Sequence, residues 1–382
     1  VPSGHLAICS ANLGISDDID PAQTDDDFPG KLFNVVTYTG NGSTQSITGL
    51  GFQPDMVWIK SRSSGEDPSI YDSNRGVTKR LKSSESQAQS TVSNGFTAFD
   101  SDGFSLGSAS ENNGSSATYV AWCWRANGGT TASNTSGDIN STTQASDKTG
   151  LSIVTYTGNG SQNQSIGHGL TKAPEMVWFK NYGSASVGGI AMDWTVVLAD
   201  QTGSPFDGKV NIKESLALNT TAAISSFYGD NTNPHDGPNF TSSVFSVPNN
   251  GNAPYWFNAS GGSYIAYCWH SVEGFSKFGF YEGNGNANGP FIYTGFRPRM
   301  VFVKRSSTTG GWWVFDSARD THNPVNKYVG WHSSSTESSG SNFDFLSNGF
   351  KLRTSDGDFN GSGNTILYGA WGDVPFKYNN TF

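Results

Sequence analysis

Pro54-Asp55-Met56-Val57-Trp58-Ile59-Lys60 returns as Pro174-Glu175-Met176-Val177-Trp178-Phe179-Lys180, and again as Pro298-Arg299-Met300-Val301-Phe302-Val303-Lys304. The three prolines stand 120 and 124 positions apart. Self-similarity at a fixed period marks copies of one structural unit. Each stretch is short, rich in β-branched and aromatic residues, and bounded by Pro before and polar residues after. That pattern reads as a β-strand.

Two further landmarks keep the same order around this strand. Upstream, Tyr38-Thr39-Gly40-Asn41-Gly42 recurs as Tyr156-Thr157-Gly158-Asn159-Gly160 and Tyr281-Glu282-Gly283-Asn284-Gly285. Its Asn and Gly residues tolerate positive φ and predict a tight turn after a strand. Downstream, Asn113-Gly114, Asn258-Ala259-Ser260-Gly261 and Asn360-Gly361-Ser362-Gly363 precede Tyr119–Trp124, Tyr264–Trp269 and Ile366–Trp371. Phe99–Leu106 and Phe345–Leu352 each alternate about a central turn, Asp102-Gly103 or Asn348-Gly349. No sustained 3.6-residue period occurs; only Glu85 to Thr91 reads as a helical turn or two. The fold expected is all-β, three tandem antiparallel β-sandwich modules of jelly-roll type. Modules are expected at 31–128, 149–271 and 275–378, with an acidic N-terminal connector at 1–30 and a Gly/Thr/Ser-rich linker at 129–148. The shared residues are expected to hold each unit's own interior together.

Composition narrows the function classes. Only 14% of residues are charged, so Ser, Thr, Asn and Gly must cover the surface. The net charge of −9 and the absence of a Lys/Arg run argue against a nucleic-acid partner. No apolar run is long enough to insert in a membrane. Cys123 and Cys268 hold equivalent positions and read as buried thiols, and Cys9 stands alone.

Residue patterns that carry chemistry are few. The six histidines, at 5, 168, 235, 270, 322 and 332, show no zinc spacing. Asp100 and Asp102 beside Gly103 resemble a fragment of a calcium loop without its later ligands. No Gly-x-Ser-x-Gly elbow and no recurring Ser/His/Asp set is present. Asp344 and Glu337 are candidate carboxylates with no identifiable partner across a cleft. No catalytic residue, metal or cofactor is therefore expected. Asp72-Ser73-Asn74-Arg75 and Asp316-Ser317-Ala318-Arg319 form a paired motif whose Asp and Arg read as a structural clasp at a strand end. The binding or interface candidates are Trp312, Trp313, Trp331 and His332. Adjacent Trp312 and Trp313 point to opposite faces of a strand, so one indole faces outwards unless another surface covers it. Such rings suit a glycan, a subunit contact or a core.

These landmarks resemble a tandem-repeat family of marine phages, especially cyanophage-type genomes. The resemblance rests on the three landmark sets above, with Gly51-Phe52-Gln53, Asp102–Gly107, Gly167–Leu170, Gly295–Pro298 and Pro375–Tyr378, and it covers roughly 31–378. In such proteins the repeats often follow a SPRY or concanavalin-like domain, and Gly4–Leu13 looks like its exit. The resemblance implies a non-enzymatic virion component, a tail fibre, spike or capsid-surface protein, located on the particle. Its implied partners are copies of itself, other virion proteins and host-surface glycans; a stand-alone carbohydrate-binding array is the alternative, and a polysaccharide-degrading enzyme a more distant one. It carries over no catalytic residues. The second repeat departs most: it lacks the Asp-Ser-x-Arg motif and has an insert around Asn231–Asn239.

Overall fold

The computed structural model describes residues 29–372 apart from 185, 188–189, 201–202, 210–213, 227–238 and 248–255. The N-terminal connector, Cys9 and most of the second-repeat insert lie outside the described residues. The chain is an all-β protein of antiparallel sheets, as the strand patterns predict. Each repeat builds one large sheet on its landmark strand. In the first, the order is Phe33–Thr39, Thr118–Trp124, Met56–Ser61, Ser69–Asp72, Lys79–Lys82 and Ser90–Thr91. A smaller sheet of Gln45–Thr48, Gly103–Leu106 and Phe96–Asp100 covers its outer face. In the third repeat the long strand Ser338–Leu346 runs from the large sheet into the covering layer, so both belong to one eight-stranded sheet.

The segment 129–148 is not a linker. It carries the strands Ala132–Asn134 and Ser141–Ser146, which extend the second repeat's sheet by pairing onto Leu151–Thr157. Its Ser/Thr-rich composition suits an outer strand with little apolar surface to bury. Glu85–Thr91 is likewise not helical: it is an extended arm ending in the strand Ser90–Thr91.

Period-2 alternation explains how the landmark strands work. All six residues of Met56–Ser61 and of Met176–Asn181 are buried, so both faces are covered. Val57 and Ile59 point into the first repeat's own core with Phe96, Phe104 and Tyr119. Val177 and Phe179, then Val301 and Val303, do the same in repeats two and three. Met56, Trp58, Met176, Trp178, Met300 and Phe302 point the other way, into one cluster that draws on all three repeats. The expectation that these shared residues fill each unit's own interior is corrected here. Half of them face a common centre.

The outer landmarks form a clasp repeated three times. The Asn41 backbone N–H donates to Asn113 Oδ1 at 2.9 Å, and Asn113 Nδ2 donates back to Asn41 Oδ1, Gly107 O and Ser43 O. Asn159 with Asn258, and Asn284 with Asn360, repeat the reciprocal pair. Tyr38, Tyr156 and Tyr281 donate their hydroxyls to the carbonyls of Asn112, Phe257 and Phe359, each at 2.7 Å. The first glycine of each turn permits this approach: a Cβ on Gly40, Gly158 or Gly283 would lie 2.3 Å from a carbonyl oxygen. Asn113→Ala is expected to leave the buried Gly107 carbonyl and the part-buried Asn41 N–H and Ser43 carbonyl without this partner and to lower stability by about 2–3 kcal/mol, read as a shift in urea midpoint. An unchanged midpoint would contradict this role.

Candidate functional site

The residues shared among repeats meet at a pseudo-threefold axis. Trp124, Trp269 and Trp371 occupy the same register position opposite Met56, Met176 and Met300. Their ring centroids lie 5.7, 5.5 and 5.3 Å apart, with interplanar angles of 66°, 70° and 74°. A second layer holds Trp58, Trp178 and Phe302. Trp331 lies among them at 4.0, 5.7 and 5.3 Å. The indole N–H groups of Trp58, Trp124, Trp178, Trp269, Trp331 and Trp371 are buried without a conventional acceptor. Edge-to-face packing aims the positive edge of one ring at the negative face of another, which softens that cost.

Three polar seams join the repeats in a ring. The arm after each repeat's outer strand reaches the next repeat: Gln89 N–H donates to Tyr182 O, Ile224 N–H to Ser306 O and Glu337 N–H to Arg62 O, at 2.8–2.9 Å. The shared lysines sit beside these contacts. Lys60 Nζ donates to Glu66 O and across the seam to Ser334 O. Lys180 Nζ donates to Met192 O and across to Ser86 O. Lys304 Nζ donates to Gly310 O and across to Thr221 and Ala222 O. Thus the lysines do not converge on one pocket; each staples one seam.

Burial pushes all three ammonium groups from the usual 10.5 down to about 8. For a base held down in the folded state, the unfolded chain binds more protons between the two values, so stability rises with pH there. The gain is confined to about pH 8–10. Above 10 the buried tyrosines, pushed up chiefly by desolvation, oppose it, because the unfolded chain loses their protons first. Urea unfolding at pH 8 and pH 9.5 is expected to show higher stability at the higher value, with a smaller rise in Lys304→Met. A fall over that interval would contradict the assignment.

The Asp/Arg motif also works across seams. Asp72 accepts from the Arg75 backbone at 2.8 Å and its guanidinium at 2.6 Å, and its Oδ2 accepts the Tyr267 hydroxyl of repeat two at 2.7 Å. Asp316 holds Arg319 in the same way and accepts Trp122 Nε1 of repeat one at 3.1 Å. Trp122, Tyr267 and Gly369 are register equivalents opposite Trp58, Trp178 and Phe302. Repeat three therefore offers no side-chain donor there, and repeat two places Leu198 where the other two have Asp. The missing motif in repeat two matches a missing donor in its neighbour.

Among the aromatic candidates, Trp312 and Trp331 are fully buried in the common core. Trp312 Nε1 donates to Ala217 O of repeat two, so the surface covering it belongs to the same chain. Trp313 lies on the opposite face against Tyr328 and His332, with Nε1 on Asp358. His332 Nδ1 accepts from the Trp312 backbone. Neither Trp312 nor Trp331 is open to a glycan, which corrects that reading. Glu337 is engaged by Arg62 and Arg319, and Asp102 accepts from Gly49 and Gly51 N–H. No cluster of three potential metal ligands occurs among the described residues.

A family profile described as a domain of unknown function, DUF7483, matches residues 28–375. The chain belongs to this family. One DUF7483 profile spans all three repeats, in keeping with a core that no repeat completes by itself. A search of curated proteins finds no match.

Among the described residues of this DUF7483 chain, one open groove of roughly 530 Å³ lies where repeats two and three meet. Lys172, Glu175 and Ser271 line it from one side and Lys277, Tyr293 and Thr294 from the other. Glu175 Oε2 accepts from the Ser271 hydroxyl and N–H at 2.5 and 2.9 Å, and burial raises its carboxyl above the usual range. Nothing in the sequence marked this groove, because it assembles positions about 120 residues apart, and Tyr293 stands where repeats one and two have Thr48 and Gly167.

Proposed function

We propose that the chain is a non-enzymatic structural protein of a phage particle, a fibre, spike or capsid-surface component that acts in assembly with itself and other virion proteins and in host-surface attachment. The observation that carries this reading is the fate of the shared residues. The tryptophans, lysines, Asn clasps and turn glycines that recur among repeats are spent on the common core, the seams or the turns. Residues kept for a reaction would instead converge on an open cleft. A three-repeat ring with low charge and many short connections suits a durable exterior part. The resemblance to phage repeat proteins supplies the particle.

Immunogold labelling of purified particles with antibody against this chain tests the reading. Label on the capsid surface or tail is the expected result. Chain found only in the particle-free fraction of the lysate would overturn it.

A further inference from the structure

We propose that the groove between repeats two and three binds a neutral hexose-based glycan, with Tyr293 as its stacking platform. The inference rests on the host-attachment part of the function proposed above and assigns it a place. Only Val77, Phe291 and Tyr293 are exposed large hydrophobic residues among those described, and Tyr293 is the most open at 58%. It remains so although Lys277 Nζ lies 5.1 Å from its ring centroid. Phe291 is 44% exposed and shares its strand face, two residues away, so the aromatic surface continues beyond the groove. A tyrosine ring offers an apolar face to the C–H side of a pyranose and a hydroxyl to its rim.

The polar lining suits the remainder of a sugar. Glu175 supplies a carboxylate acceptor fixed by Ser271, Lys172 and Lys277 supply donors, and Thr294 lies beside Tyr293. The lining residues pair two lysines, Lys172 and Lys277, with two glutamates, Glu175 and Glu273, so the groove has no net charge to favour a phosphate or a uronic acid. That balance selects a neutral ligand. The volume falls within the roughly 300–1,000 Å³ of small-ligand clefts, and its position on a seam fixes both walls through the common core.

The test uses the whole chain on an array of neutral and anionic oligosaccharides, followed by saturation-transfer NMR with the best neutral binder. Binding to a neutral hexose oligosaccharide is expected, weakened at least tenfold by Tyr293→Ala and by Glu175→Gln. Tyr293→Phe is expected to keep most of it, and Val77→Ala, on repeat one, all of it. Tyr293 is exposed, so its replacement leaves the fold intact, as thermal melting will verify. No neutral binder, a preference for anionic sugars, or binding indifferent to Tyr293→Ala would each overturn the proposal. Particle labelling is independent: label on the virion with no glycan bound removes the groove assignment and leaves the structural role.

Discussion

Replacing Trp269 with Ala is expected to lower stability by about 3–5 kcal/mol, the usual cost of deleting a fully buried large aromatic. Trp269 lies in the second repeat, yet its ring packs against Trp124 of the first and Trp371 of the third, and against Phe278. The cavity would therefore open on the axis, where surrounding strands from three sheets limit collapse. The loss of edge-to-face contacts adds to the lost burial. A substitution in a single repeat's outer core, such as Ile166→Val in repeat two, is expected to cost only about 0.5–1.5 kcal/mol and to be felt mainly there. Denaturant unfolding followed by tryptophan fluorescence reads both.

The second large effect is expected at Asp72. Its carboxylate and the Arg75 guanidinium are buried, with side-chain exposures of 0% and 2%. Removing one partner of such a pair leaves an uncompensated buried charge and typically costs about 3–5 kcal/mol. Asp72→Ala also strips the acceptor from the Tyr267 hydroxyl. Arg319 has Glu337 at 3.4 Å as a second carboxylate, so Asp316→Ala is expected to cost less than Asp72→Ala. Repeat two shows an apolar solution at the same position, Leu198. Copying it with Asp72→Leu, Arg75→Met and Tyr267→Phe together is expected to recover most of the loss, since a buried ion pair and well-packed apolar residues are often comparable in stability. A triple variant no better than Asp72→Ala would show that the seam depends on the charge pair.

Much of the fold was legible because strand patterns are local. The landmark strand, the Asn-Gly turns and the all-β class follow from residue type and period. The arrangement of the repeats was not. Trp58 and Val57 are both apolar, and periodicity alone cannot tell which face meets a repeat's own cover and which meets another repeat. The four consecutive apolar residues Met56, Val57, Trp58 and Ile59, with no alternation, carried the available signal, because burial of both faces requires two covers. The strands at 132–134 and 141–146 escaped notice because Ser and Thr dominate them. Trp312 and Trp331 read as binding or interface candidates because aromatic residue type does not tell an exposed ring from a core one; both are buried in the core common to the three repeats. The groove was invisible for a different reason. Its aromatic platform, Tyr293, has no aromatic counterpart in the other repeats, which place Thr48 and Gly167 at that position.

One core common to the three repeats holds the fold together. Hydrogen exchange by mass spectrometry on Trp269→Ala measures this directly, comparing amide protection in Thr118–Trp124, Ser263–Trp269 and Thr365–Gly372 with the unaltered chain. Protection is predicted to fall in all three strands by a similar factor, because each loses the same axial support. A fall confined to Ser263–Trp269, with the other two strands unchanged, would show three independent cores and contradict the account.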